Sequence, residues 1–250
     1  AREASAIVLL EDDFGSIVQS VRLGRRIYDN IRKAIAFIFA VHVPIAGLAL
    51  LPLLFGLPIL FGPIHIALLE MVIDPVCALV FEAERDEDDI MQRRPRDPSE
   101  SLFSLPMIGW SIFQGGLAFA MLAGVFFVET WSGMPDDELR ALTFFALIAE
   151  IVALILVNRS FSASLGDALI RHNAALGYVA AAIAIVTALI LFLSQAQILL
   201  KFGSIAWSDM ALAVGMGISL LVLLEICKPL VRRVMVRRPP GYSRNLVAAS

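Results

Sequence analysis

Charge is scarce in this 250-residue chain, and cysteine and histidine are scarcer. Only 17% of the residues are Asp, Glu, Lys or Arg, against 59% hydrophobic, with two cysteines and three histidines in all. A soluble globular domain carries about a quarter charged residues, so this composition, with a mean hydropathy of +0.82, excludes an ordinary soluble domain and reads as a polytopic membrane protein. Cys77 and Cys227 each lie inside an apolar run. They match neither a CxxC metal spacing nor a secreted disulfide framework, and read as small buried apolar residues. The net charge of -3 and pI near 5.6 carry no basic surplus, so nucleic acid is not an expected partner. Membrane lipid is.

The start, AREASAIVLLEDDFGSIVQS, lacks an initiator Met and puts acidic residues where the apolar region of a signal peptide would stand. The chain reads as cut from something longer. Hydropathy predicts six spans, at 31–54, 63–82, 106–128, 139–158, 174–194 and 208–228, each near the twenty residues a bilayer needs. An even number returns both ends to one side. On that side lie RRIYDNIRK, RDEDDIMQRRPRDPSE, NRSFSASLGDALIRHN and KPLVRRVMVRRPPGYSR, whereas the opposite connections hold only Arg140 and Lys201. The positive-inside rule makes both ends cytoplasmic. Before the first span, ASAIVLL predicts a short buried strand, and FGSIVQSVRLGRRIYDNIRKAI a helix. Its apolar Phe14, Ile17, Val18, Val21 and Ile27 would face a soluble core. With no stop signal before Ala34, this helix is expected to run into the first span, either as a rod that transmits motion or as a plain connector.

The second span contains two carboxylates in LLEMVIDPVCALVFEAE: Glu70 and Asp74. Each acid at a helix centre costs about 2.5–3.5 kcal/mol on insertion scales, while each Leu or Ile returns only about 0.3–0.6. Spaced four apart, they share one helix face, about 6 Å apart along the axis. Pro75 follows at once and deprives the residue 71 carbonyl of its amide donor. Carboxylates and freed carbonyls are the ligands hard cations take. The alternative is that the acids are protonated or paired and lock helices together, but no Lys or Arg lies mid-span. The first span is irregular too, at VHVPIAGLALLP, where Pro44 removes a hydrogen bond two residues after His42. His42 is therefore a candidate ligand, with a helix-helix hydrogen bond as the plain alternative. His65 and His172 read as structural or solvated. Glu150, in the fourth span, is a candidate for an ion path, and Glu225 is placed to pair with Lys228.

The stretch AREASAIVLLEDDFGSIVQSVRLGRRIYDNIRK resembles the end of the phosphorylation domain and the stalk of type II P-type ATPases. IDPVCALVFEAERDEDDIMQRRPRDPSE is similar to their sixth membrane helix and following loop, with DIMQRRPRDPSE at Asp89–Glu100 as the most specific part. The likeness weakens after residue 105. It implies an all-α polytopic membrane fold of six transmembrane helices, equivalent to helices five to ten, with a short N-terminal strand-helix remnant. The implied organisation is 1–30 phosphorylation-domain end and stalk, 31–228 membrane domain and 229–250 basic tail.

By the same resemblance, Asp74 corresponds to the sixth-helix aspartate that coordinates the transported ion, and Glu70 and His42 to positions that are asparagine in calcium pumps. Ile73 and Ile45 stand where calcium pumps have threonine and glutamate ligands, which disfavours a two-calcium site and suits one divalent cation, such as calcium or magnesium, or a proton-linked site. No DKTG, TGES-like loop or nucleotide-binding domain occurs in this sequence, so this chain alone has no cofactor and no means of hydrolysing ATP. ATP and Mg2+ are implied for the intact pump, along with an N-terminal half and a bacterial inner-membrane location. Alternatives are a stand-alone six-span cation channel or secondary transporter, and a non-catalytic membrane partner subunit.

Overall fold

The computed structural model describes residues 13–95, 102–159 and 173–235. It is all-helical over them, and the expected strand at ASAIVLL lies outside the described residues. α1 runs unbroken from Phe14 to Phe55. It starts where Asp13 turns its carboxylate onto the N–H groups of Gly15 and Ser16, at 3.0 and 3.1 Å, closing an N-cap. At 1.5 Å per residue it is about 63 Å long, twice the roughly 30 Å hydrocarbon core of a bilayer. The expectation of one continuous helix entering the first span is met. On its outer half Phe14, Val18, Val21 and Ile27 are exposed.

α2, Pro63–Pro75, passes into a π-helical turn at Val76–Val80. Then come α3 (Leu105–Ser132), α4 (Asp136–Asn158), α5 (Ala174–Phe192), a short α6 (Ser194–Leu200) and α7 (Trp207–Met235). Six segments are long and apolar enough to cross a membrane: α1, α2 with its π turn, α3, α4, α5 and α7 as far as Pro229. They coincide with the six spans read from hydropathy. The short α6, between the fifth and sixth spans, has no counterpart among those expectations.

α4 is the centre of the bundle. The most apolar stretch of α4 is 83% buried against 11% for that of α5, whose Tyr178, Ile185 and Phe192 face outward. α4 packs most extensively on α7, and α1 on α3. Both pairs depend on a glycine, as expected where helices associate in a solvent as apolar as their side chains. A Cβ on Gly217 would stand 2.7 Å from the Ala149 carbonyl oxygen of α4, and one on Gly115 would collide with the carbonyl of Ala40. Ala40 is the residue whose carbonyl Pro44 leaves without its amide donor, so α3 seats against that freed carbonyl of α1.

At the outer end Arg140 donates to the carbonyls of Leu60 at 2.8 Å and Lys201 at 2.7 Å, tying α4 to the loops before α2 and after α6. The Nδ1 of buried His65 accepts from the Gly62 amide at 3.0 Å while its Nε2–H donates to the Leu200 carbonyl at 2.8 Å. That bonding gives it the structural role its sequence position suggested.

Candidate functional site

The two proline-containing helices α1 and α2 meet at their polar residues. His42 on α1 lies 3.7 Å, Nε2 to Oε1, from Glu70 on α2, and both side chains remain partly exposed. The His42 Nδ1 is 2.8 Å from the carbonyl oxygen of Ile38, one turn back. A carbonyl only accepts, so Nδ1 carries a proton, and in the neutral ring Nε2 presents its lone pair to Glu70. A lone pair and a carboxylate oxygen at 3.7 Å form no hydrogen bond with each other. The gap is too long for a shared proton and suits a cation about 2.0–2.3 Å from each atom.

Asp74 stands exposed one turn further along α2, in its last turn. Pro75 acts here as its chemistry demands, and the chain answers by widening into the π turn, in which the Phe81 amide reaches back five residues to the Val76 carbonyl at 3.2 Å. Such widened turns concentrate at functional sites. Among the described residues no three His, Cys, Asp or Glu side chains gather within reach of one ion. The structure therefore joins His42 to Glu70 and leaves Asp74 and Glu150 outside that pair.

Glu150 is fully buried on α4, and neither of its carboxylate oxygens has a hydrogen-bond partner among the described residues. A carboxyl so placed needs a proton or a cation to neutralise it. Glu225, by contrast, is paired as expected, 3.0 Å from the Lys228 ammonium, which also donates to the Val157 carbonyl. Gln114 and Asn158 form a buried amide pair between α3 and α4, the Asn158 Nδ2 donating to the Gln114 Oε1 at 2.7 Å.

A second polar system binds the N-terminal half of α1 to the segment after α2. Arg26 and Asn30 donate to the Glu84 carbonyl at 2.9 and 2.8 Å. Lys33 and Glu87 form a buried ion pair at 2.7 Å. Asp29 pairs with Arg93 at 2.8 Å, and Arg22 with Asp86 at 2.5 Å. Burial opposes ionisation of Asp86, but the hydrogen bonds from Arg22 and its own backbone amide, with the charges of Arg22 and Arg26, hold its carboxyl below the usual 3.8. The Glu84 side chain turns the other way, to Arg159 at the end of α4 at 2.9 Å and to Asn173 at the start of α5, also at 2.9 Å. Sequence reasoning did not find this system. Its signal was the spacing of Arg22, Arg26, Asn30 and Lys33, which share one helical face.

The family described as cation transporting ATPase, C-terminus, matches residues 58–230. Over 143 residues, 57% of this chain, the sequence is 32% identical to the calcium-transporting ATPase of Bacillus subtilis, of which the match covers 16%. Over 127 residues, half of the chain, it is 36% identical to the sodium/potassium-transporting ATPase subunit alpha-4 of Rattus norvegicus, of which the match covers 12%. The corresponding subunit alpha of Hydra vulgaris is 38% identical over 98 residues, 39% of this chain and 10% of that protein. The chain thus spans a small part of the length of these relatives.

Proposed function

Because this chain belongs to the C-terminal family of cation-transporting ATPases, an integral membrane part of type II P-type pumps, we propose that it carries the ion-binding helices of an ATP-driven pump for one divalent cation. Calcium and magnesium are the leading candidates. The observation that carries this reading is the meeting of His42 and Glu70, 3.7 Å apart, beside Pro44, which frees a carbonyl within one span, and Pro75, after which the other widens into a π turn.

In this proposal the cation is held by the Glu70 carboxylate and the Nε2 lone pair of His42. Asp74, next to the π turn, closes on the ion when α1 and α2 move, and Glu150 serves the path through α4. ATP and Mg2+ act on parts of the pump outside this chain. A phosphorylation event there drives α1, which is long enough to act as a rod from outside the bilayer to the His42 site. The network from Arg22 to Lys33 makes the segment after α2 move with that rod. Both chain ends face the cytoplasm and the host membrane is a bacterial plasma membrane; the basic loops on one side of the bundle support the first statement.

The test is cation-stimulated ATP hydrolysis by the natural gene product that carries this chain, with Glu70→Gln and Asp74→Asn. Each variant should need more than about ten-fold more cation for half stimulation, the scale on which lost ligand support weakens metal sites. Unchanged stimulation in both would sink the assignment.

A further inference from the structure

A cleft of about 560 Å³ opens between the cytoplasmic part of α1 and the segment after α2. Two walls supply its charge: Arg25 and Arg32 from α1, Arg93 and Arg94 from the loop. One carboxylate, Asp29, lines it, and it pairs with Arg93, which also binds Asp89 at 3.0 Å. Among the described residues, four guanidiniums against these two carboxylates leave a positive excess.

The guanidiniums are also held in place. Arg25 is fixed by the carbonyls of Ile90 and Arg93 at 2.7 and 2.9 Å, bonds that orient its charge without neutralising it. Arg32 lies over the Tyr28 ring, 5.9 Å from its centroid. Arg93 is held by Asp29 and Asp89, and planar guanidiniums on two facing walls are an arrangement that recognises phosphate.

The position of the cleft indicates which phosphate. Arg32 comes immediately before the buried Lys33 and the apolar run that enters the membrane at Ala34, so the cleft sits at headgroup level. Below it an apolar ramp continues towards the hydrocarbon. Phe103 is exposed and packs edge-on against Phe39 of α1, with centroids 6.3 Å apart, and Leu105 is 83% exposed beside it. A basic pocket over an apolar track fits a headgroup with its acyl chain, and basic pockets beside membrane helices on the cytoplasmic side bind anionic headgroups.

We propose that this cleft is a site for a phosphate-bearing anion, occupied by the headgroup of an anionic phospholipid whose chain runs down over Phe103 and Leu105. The inference rests on the chain being membrane-embedded and is independent of the His42–Glu70 proposal.

To test it, the natural gene product is exchanged from mixed phosphatidylcholine and phosphatidylglycerol micelles and its retained lipids are read by native mass spectrometry. The wild type should retain phosphatidylglycerol preferentially. The double variant Arg32→Gln/Arg94→Gln should lose that preference by roughly five-fold per guanidinium, while Arg32→Lys/Arg94→Lys, which keeps the charges, should retain most of it. Inorganic phosphate distinguishes the sources: failure to compete supports the lipid, and full competition supports the same site filled by a soluble phosphate. No preference in the wild type, or an unchanged preference in the glutamine variant, overturns the proposal. So does finding the four arginines shielded from phenylglyoxal in the lipid-stripped protein, because another part of the protein would then fill the cleft.

Discussion

Arg159 and Glu84 offer the sharpest test of how the helix ends around the π turn are held. Both side chains are almost fully buried, at 1% and 2% exposure, and the Arg159 Nε and Nη2 lie 2.9 and 3.3 Å from the two carboxylate oxygens. Asn173 adds a third hydrogen bond to the same carboxylate and a fourth to the Val80 carbonyl at 3.0 Å. This knot ties the end of the π turn, the end of α4 and the start of α5 into one unit.

Replacing Glu84 by Leu takes both of these carboxylate oxygens away from a buried guanidinium. Breaking a buried pair in this way costs about 3–5 kcal/mol, because the remaining charge loses a close opposite charge and the hydrogen bonds that came with it. With a factor of ten for each 1.4 kcal/mol, the opened form becomes about a hundred to several thousand times more populated. The assay is the rate of limited proteolysis at this end of the bundle, which follows that population while opening is fast compared with cleavage. The double variant Glu84→Leu/Arg159→Met removes both charges and keeps much of the volume, so it should regain most of the loss. If the double variant is as sensitive as Glu84→Leu alone, the loss comes from packing and the electrostatic reasoning fails.

Two smaller effects follow from the geometry. Gly217→Val places a branched side chain against the Ala149 backbone and should cost about 1–3 kcal/mol while disturbing the neighbouring Glu150, whereas Gly215→Ala, with no atom within 4 Å of its new Cβ, should be nearly neutral; equal thermal melting of the two variants would argue against the close approach of α4 and α7. For Arg22–Asp86 the folded carboxyl titrates below its unfolded value of 3.8, so the bridge contributes above that pH and its contribution disappears as pH falls through the depressed value. Arg22→Gln should therefore be less stable than wild type by about 0.2–1 kcal/mol near neutrality, and the difference should vanish in acid. A difference that persisted in strong acid would point to a cause other than the bridge.

Much of the architecture was legible because the bilayer allows few solutions. Runs of twenty apolar residues become helices, and the six found are the six expected. The prolines were legible only in part. Pro75 announced a lost hydrogen bond, yet whether a helix kinks, ends or widens depends on its neighbours, and here it widened at Val76–Val80. Pro44 and Pro52 left α1 helical throughout, the first with α3 seated against the freed Ala40 carbonyl.

Of the site, His42 and Glu70 were read as candidates for separate reasons, and only the structure sets them opposite one another. The contacts of Glu84, Arg159 and Asn173 join residues 75 and 89 positions apart. No local pattern records such a partner, and each residue sits in a charged segment where solvation is the ordinary reading.

Direct cation binding to the reconstituted gene product tests the central claim most closely, because it needs no turnover. Titration with calcium, magnesium and manganese, each alone, should reveal one saturable divalent site, weakened more than about ten-fold by His42→Ala and by Glu70→Gln and far less by His65→Gln. Equal affinity in wild type, His42→Ala and Glu70→Gln would contradict the account, because the pair beside Pro44 and Pro75 would then have no part in holding the ion.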